Sequence, residues 1–531
     1  MSFRIFLFLS IVVLTISCAR RGRPEGGPKD EDKPIMVKTE PAFKSINFDA
    51  DEIKIFFDEY IKLDKLSSQL IVSPPLKYPP IITPQGTPSK KITIKIKDTL
   101  LENTTYTFNF GQSVIDNTEG NVLENFKYIF STGDYIDSLE VGGTIKDAFE
   151  LKMIENPTLM LYNVTENFND SIVYNKKPMY VGSTIDSVHW NISNIKAGKY
   201  LLVALNDQSK NYKFNQKEDK IGFHSTYITV PTDSSYDISL FREILPLRIP
   251  SKPKEISKGH LIFGYEGVGK NLEVKPISNT KEEFKSLSTF DIQKDTLHYW
   301  YKNYDKDSIV MSIHSDMPFD TATIKLKSKE IDSMVVTPSV NGVLHLKDTF
   351  KLRSNTPIIK IDTTKIYFIN KDSVRVKYQY AISKNRDNVA LIFEKNMLDN
   401  YNAQLYPGAI TDFYGIENDT LKVKFSTKKT SNYSSIFLTL NNIKSYPIIV
   451  DLINEKGELV EQKYALNNQE YKFINLQPSR YMVRIIYDTN KNKKWDTGNY
   501  LLKHQPEEVY YFLGIIDAKA NWEVIESFSI N

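Results

Sequence analysis

The sequence of 531 residues holds a single cysteine, Cys18. One thiol excludes an internal disulfide framework and any cysteine-based zinc cluster. Tryptophan is scarce too, at four positions (Trp190, Trp300, Trp495 and Trp522), which leaves little for a broad aromatic platform. Seven histidines (His189, His224, His260, His298, His314, His345 and His504) stand singly, and none forms a His-Glu-x-x-His or His-x-His pair. No Gly-x-Ser-x-Gly elbow occurs, so the sequence carries no catalytic signature and is read as non-enzymatic. An excess of one charge is also missing: 68 basic and 65 acidic residues are mixed throughout, for a net charge of +3. Without a basic field, nucleic acid has no electrostatic support as a partner. The longest apolar run covers residues 5–16, well short of the roughly 20 residues that cross a bilayer as a helix.

That run has a different use. Arg4 gives a positive start, the apolar core follows, and a small residue precedes the break, which together make a secretory signal. The core runs directly into Ser17-Cys18, and this junction resembles the bacterial lipoprotein signal. Thr15 stands where that signal usually has Leu. The resemblance implies a signal peptide over residues 1–17, cleavage before Cys18, a diacylglycerol on the Cys18 thiol and an acylated amino group. Two or three acyl chains hold a protein stably on a membrane at about 0.8 kcal/mol per buried methylene. Residues 18–33, CARRGRPEGGPKDEDK, have almost no apolar surface to bury and read as a flexible tether. Their pattern resembles the start of a Bacteroidota outer-membrane lipoprotein family, in which cysteine, Gly-x-Pro-x-Gly-Gly-Pro-x-Asp and an Ig-like domain follow in order. Acidic residues close to the lipidated cysteine direct such proteins to the cell surface. Here Asp30, Glu31 and Asp32 come later than usual, after Arg20, Arg21 and Arg23. The implied location is the outer membrane, lipid-anchored, with the cell surface favoured over the periplasmic face.

Beyond the tether the chain alternates. KITIKIK (91–97), YTFNF (106–110), VRVKYQY (374–380) and LKVKFST (421–427) place apolar residues at every second position. This period, with Asn/Asp/Gly clusters between runs, predicts antiparallel strands with one buried face. With 31 Tyr and 29 Phe for cores, the fold class is all-β; only short stretches such as KEEFKSL (281–287) read as helical.

Two internal echoes divide the chain. SVIDNTEGNVLENFKYIFSTGD (113–134) matches GAITDFYGIENDTLKVKFSTKK (408–429) in its apolar pair, Asp, glycine turn and Phe-Ser-Thr ending. The segment around the first copy resembles the bacterial Ig-like domain of the S-layer type, through PIMVKTEPAF, IKIFFDEYIKL, LENTTYTFNFGQSVIDNTEGN and FKYIFSTGD. It implies a sandwich without catalytic residues. IKAGKYLLVALNDQSKNYKFN (195–215) matches LQPSRYMVRIIYDTNKNKKWD (476–496) in a turn, a Tyr-led strand, an Asp-started polar loop and an aromatic. VGGTIKDAFE (141–150) resembles the opening of transthyretin-like or carboxypeptidase-regulatory β domains. The predicted organisation is therefore a string of sandwiches: an Ig-like domain at 34–134, a transthyretin-like sandwich at 139–232, a β domain of unassigned type at 245–340, a second Ig-like sandwich at 341–429 and a C-terminal sandwich at 432–531. Residues 239–255 and 426–435 are the predicted linkers.

Three motifs bear on chemistry. GYEGVGKN (264–271) nearly spells a phosphate loop, but Asn271 replaces the magnesium-binding hydroxyl and Pro276 follows where a helix is required. The expectation there is a hairpin turn. In DTNKNKKWDTGN (488–499) the oxygen donors Asp488, Asn490, Asn492 and Asp496 follow the spacing of a calcium-wrapping loop. Lys493 takes the place of the turn glycine and Asn499 that of the bidentate Glu, so any calcium would be held weakly and the alternative is a self-capping polar turn. No other cofactor is implied. Finally, Asp-Ser/Thr-aliphatic-or-Thr triplets start at Asp98, Asp137, Asp170, Asp186, Asp295, Asp307, Asp320, Asp332, Asp362, Asp372 and Asp419. They resemble the O-glycosylation sequon of exported Bacteroidota proteins and equally suit β-turns before strands. The function this predicts is a lipid-anchored scaffold or interaction protein, an accessory of an outer-membrane protein assembly; the alternative is a surface carbohydrate- or polymer-binding lipoprotein.

Overall fold

A computed structural model describes residues 30–530 apart from 187, 279–280 and 317–319. The signal peptide, Cys18 and the tether to residue 29 lie outside the described residues. The end of the tether is held: the Asn121 side-chain amide donates to the carbonyls of Asp30 and Asp32 at 2.9 and 2.8 Å.

Alternation becomes sandwich at once. Along Glu52–Leu63, Ile53, Ile55, Phe57 and Ile61 are buried while their neighbours face outward. This strand anchors a five-stranded sheet that closes over the strands Ile71–Ser73, Thr105–Asn109 and Lys127–Ser131. The first core lies between the two sheets. A third unit pairs a four-stranded sheet on Thr296–Lys302 with a three-stranded one on Ser308–His314. A fourth is built on Phe350–Ser354 and Leu421–Ser426, around Phe350, Phe368 and Phe425.

The second and fifth units share one strand order. Pairing of Tyr180–Thr184 with His189–Ile195 joins the layers of the second into one eight-stranded sheet, while those of the fifth stay separate. In the second, Leu139–Asp147 lies between the antiparallel His189–Ile195 and the parallel Ile238–Leu240. In the fifth, Ser434–Asn441 lies between the antiparallel Tyr471–Leu476 and the parallel Glu523–Ser529. The facing layers correspond as well: Thr158–Asn163 pairs with Gly198–Asn206, and Ile448–Asn454 with Ser479–Tyr487.

Three expectations are corrected. KEEFKSL is not helical, because its last residues enter strand Lys285–Asp291, which pairs along Thr296–Lys302. The described α-helices are two four-residue turns, Leu66–Gln69 and Ile172–Asn175, and no described helix is long and apolar enough to cross a membrane. The segment 264–271 is not a hairpin turn, since His260–Gly264 and Glu273–Pro276 belong to different sheets and the connection arches between them. Nor do the units form a simple string, because the fifth folds back onto the second.

Candidate functional site

The Asp-started loop after Ser479–Tyr487 is where the fold-back occurs. Asp488 is buried and accepts the backbone N–H groups of Asn492 and Lys493 at 3.0 and 2.9 Å. Lys491 and Lys493 have φ of 63° and 66°, the left-handed region that costs energy for residues other than glycine. Asp488 stabilises this tight wrap by satisfying its N–H groups. Glu507, also buried, bridges the loop from outside: its carboxylate accepts Thr489 N at 2.7 Å and Asp496 N at 3.1 Å.

All four predicted oxygen donors thus come together in one loop. The Asn490 amide donates to Asp496 Oδ2 at 2.6 Å, the Asn492 amide reaches the same oxygen, and the Lys494 ammonium lies 3.0 Å from Asp496 Oδ1. Burial raises the Asp496 pKa, but the two amides and Lys494 outweigh it and hold the carboxyl below its ordinary range. Internal donors therefore engage both Asp496 oxygens. Among the described residues, no group of three or more His, Cys, Asp or Glu side chains is set to hold a metal ion.

The echo loop repeats three bonds of the scheme. Asp207 accepts Tyr212 N at 2.7 Å, as Asp488 accepts Lys493 N, each five positions on. Lys210 and Tyr212 have φ of 53° and 59°, matching Lys491 and Lys493. Asp219 takes the part of Glu507, accepting Gln208 N at 2.9 Å and Asn215 N at 2.8 Å. Here burial dominates and raises the Asp219 pKa above its ordinary value.

The fifth-unit loop goes further and clasps the second unit. Tyr500 is fully buried against Tyr174 and Phe223, and its hydroxyl donates to Asp170 O at 2.9 Å. Tyr500 N donates to buried Glu243, Thr497 Oγ1 to Arg242 O at 2.7 Å, and Gln505 Nε2 to Phe223 O at 2.9 Å. Lys503 pairs with Asp170 at 3.2 Å. A second contact packs Phe149 against Trp495, with ring centroids 4.5 Å apart and planes tilted by 38°, and under the Arg484 guanidinium at 4.0 Å. Arg484 is itself held by buried Asp451, at 2.6 Å. The 239–255 linker is thus no free spacer: Phe241 and Glu243 belong to the clasp, and Leu247 to the third core.

Sequence reading also missed a histidine pair. His260 Nε2 lies 2.8 Å from His298 Nδ1, and the His260 ring stacks on Trp300 at 3.7 Å. Burial, then the neighbouring His298, pushes the His260 pKa down to about 4. The pair sits where the third unit meets the fourth, beside Tyr414, whose hydroxyl donates to Gly259 O at 2.8 Å. Of the tryptophans, Trp190 and Trp300 are buried and Trp495 is in the clasp; Trp522 alone stands exposed. Among the triplet hydroxyl residues, Thr99, Ser138, Thr321, Ser333, Thr363, Ser373 and Thr420 are exposed, and Ser187 lies outside the described residues.

Residues 30–132 match the family model of the bacterial Ig-like domain. The first unit is thus similar to bacterial Ig-like domains. No curated protein matches the chain. Solved structures similar to it include the S-layer protein rSbsC(31-844), at 12% identity over 88% of this chain and 67% of that one, with a TM-score of 0.14. Domains 4–9 of the surface layer protein SbsC give 9% identity over 75% and 61%, with a TM-score of 0.20. Titin domains A168–A170 give 12% identity over 46% and 92%, with a TM-score of 0.14. At such scores these likenesses carry nothing about what this chain binds. The chain is an all-β tandem of sandwiches with an Ig-like unit first.

Proposed function

We propose that this protein is a lipid-anchored outer-membrane scaffold, displayed at the cell surface, that serves as an accessory of an outer-membrane protein assembly. The observation that carries the scaffold reading is the clasp: it ties the C-terminal unit to the second, so surfaces distant in sequence are held in fixed relation. Partner contact is supported by apolar side chains left in solvent on the fifth unit. Leu513 is 84%, Ile525 80% and Trp522 52% exposed, and Ile525 lies beside Phe437 across the strand pair. Contiguous exposed apolar surface marks interaction sites, and Ile525 and Leu513 are the two most exposed large apolar residues among those described. The carbohydrate-binding alternative gains no such support, because Trp190 and Trp300 are inside the cores.

Anchoring rests on Cys18. Cys18→Ala should lose palmitate labelling and leave the membrane fraction; labelling that persists would refute the anchor. Mild-detergent purification of the protein at native expression should co-isolate an outer-membrane protein, and an Ile525→Asp, Leu513→Asp variant should lose it. The exposed triplets make O-glycosylation part of this proposal. An intact mass from the native host equal to polypeptide plus acyl chains would remove that part.

A further inference from the structure

The first and second units meet around a groove of about 640 Å³, within the range of small-molecule sites, which are mostly apolar with a few placed polar groups. Its floor and walls come from Leu66, Leu70, Leu76 and Ile82 of the first unit, with four prolines along the rim. The second unit supplies Lys177, Lys210 and Tyr212. Leu76 and Ile82 are buried, whereas Leu66 and Leu70 are only half-covered by protein.

The two ammonium groups set the chemistry. Lys177 Nζ donates to Leu76 O at 2.7 Å, and Lys210 Nζ reaches Ser67 O at 3.5 Å. Each ammonium carries three donors, so these bonds leave N–H groups on both. No acidic side chain lines the groove, and among the described residues neither lysine pairs with a carboxylate. Lys210 is placed by backbone, not by chance: its left-handed φ of 53° is fixed by the Asp207 bond to Tyr212 N. An apolar trough whose two cations both come from the second unit is complementary to a long hydrocarbon bearing one negative head.

We infer that this groove binds a single-chain anionic amphiphile, a long-chain carboxylate, with its alkyl chain along Leu66, Leu70 and Ile82 and its head on Lys177 and Lys210. Exposed carboxylate–lysine pairs are weak in water, so the alkyl chain supplies most of the affinity and the lysines select the head.

The test uses residues 19–531, which retain every described element, and displacement of a fluorescent fatty-acid analogue by palmitate, hexadecanol and hexanoate. Palmitate should compete at one site per chain, with hexadecanol and hexanoate at least tenfold weaker. Lys177→Met, Lys210→Met should weaken palmitate about tenfold without altering hexadecanol, and Lys210→Arg should restore it. Leu66→Asp, Leu70→Asp should abolish binding while the far-ultraviolet spectrum stays as in the parent; the thermal midpoint falls, because both leucines pack on the first core. The proposal is overturned if palmitate and hexadecanol compete equally, if the double Asp variant binds as before, or if uptake does not saturate at one site.

Discussion

The second and fifth units are built alike and used differently. Both carry an Asp-started loop with two left-handed residues, a central carboxylate that wraps it, and a second carboxylate that bridges its ends. They differ in length: Asp219 comes 12 positions after Asp207, whereas Glu507 comes 19 after Asp488. The longer loop lets Tyr500 reach into the second unit. The shorter one ends at the groove, with Lys210 and Tyr212 on its wall. The conserved part of the geometry is thus the turn, and new contacts come from what the turn carries. One device makes a wall and the other a clasp.

The strongest way to break this contrast is Tyr500→Ala. Emptying a fully buried aromatic site costs about 3–5 kcal/mol, here charged to the clasp. Small-angle scattering should show an expanded particle, and urea unfolding should separate into two transitions. Leu501→Ala, at an exposed neighbour, should change neither.

A smaller effect separates the two bridging carboxylates. Glu507→Gln removes charge-assisted bonds to Thr489 and Asp496, each class of bond being worth about 1.5–3 kcal/mol. Asp219→Asn should cost less at neutral pH, because burial already penalises the Asp219 charge. Denaturant midpoints of the two variants measure the difference.

Their pH dependences should run in opposite senses. The folded Asp219 pKa is raised by burial, so the stability this carboxyl confers is present below its unfolded pKa and is lost as pH rises through the folded one. The folded Asp496 pKa is lowered by Asn490, Lys494 and Asn492 acting against burial, so its contribution is present above the unfolded pKa and is lost as pH falls through the folded one. Between pH 7 and 3, the cost of Asp219→Asn should grow while that of Asp496→Asn shrinks. Equal slopes would break the contrast.

The smallest expected effect is calcium. A site at ten times its Kd would gain about 1.4 kcal/mol. With Lys494 on Asp496, calcium should leave the thermal midpoint of the chain within error of the chelator control. Lys494→Ala should allow a small calcium-dependent rise, and Asp488→Ala, Asp496→Ala should remove it.

Much of this was legible in the sequence because it is local. The period-two runs KITIKIK, YTFNF and LKVKFST give strands, whereas VRVKYQY enters one only from Tyr378. The order of turn, Tyr-led strand, Asp and aromatic marked the second and fifth units as relatives. The clasp was not legible. Tyr500 sits in a polar-looking loop, and its partners Asp170, Phe223 and Glu243 lie more than 250 positions away. The histidine pair was hidden by register: His260 faces Trp300 across the ladder, which sets His298 diagonally beside it. KEEFKSL misled because its charges and apolar residues suit a helix turn, while the edge of Thr296–Lys302 had open backbone groups that drew its last residues into a strand.

The clasp has a mechanical consequence. If the chain is pulled between the tether and its C-terminus, tension passes from the first unit to the second, across Tyr500 and Trp495, and into the fifth. The third and fourth units then hang in a side loop that carries no load. Their length is released only when the clasp ruptures, so the contact acts as a mechanical fuse in series with the first unit, and the strands behind it are shielded until it opens.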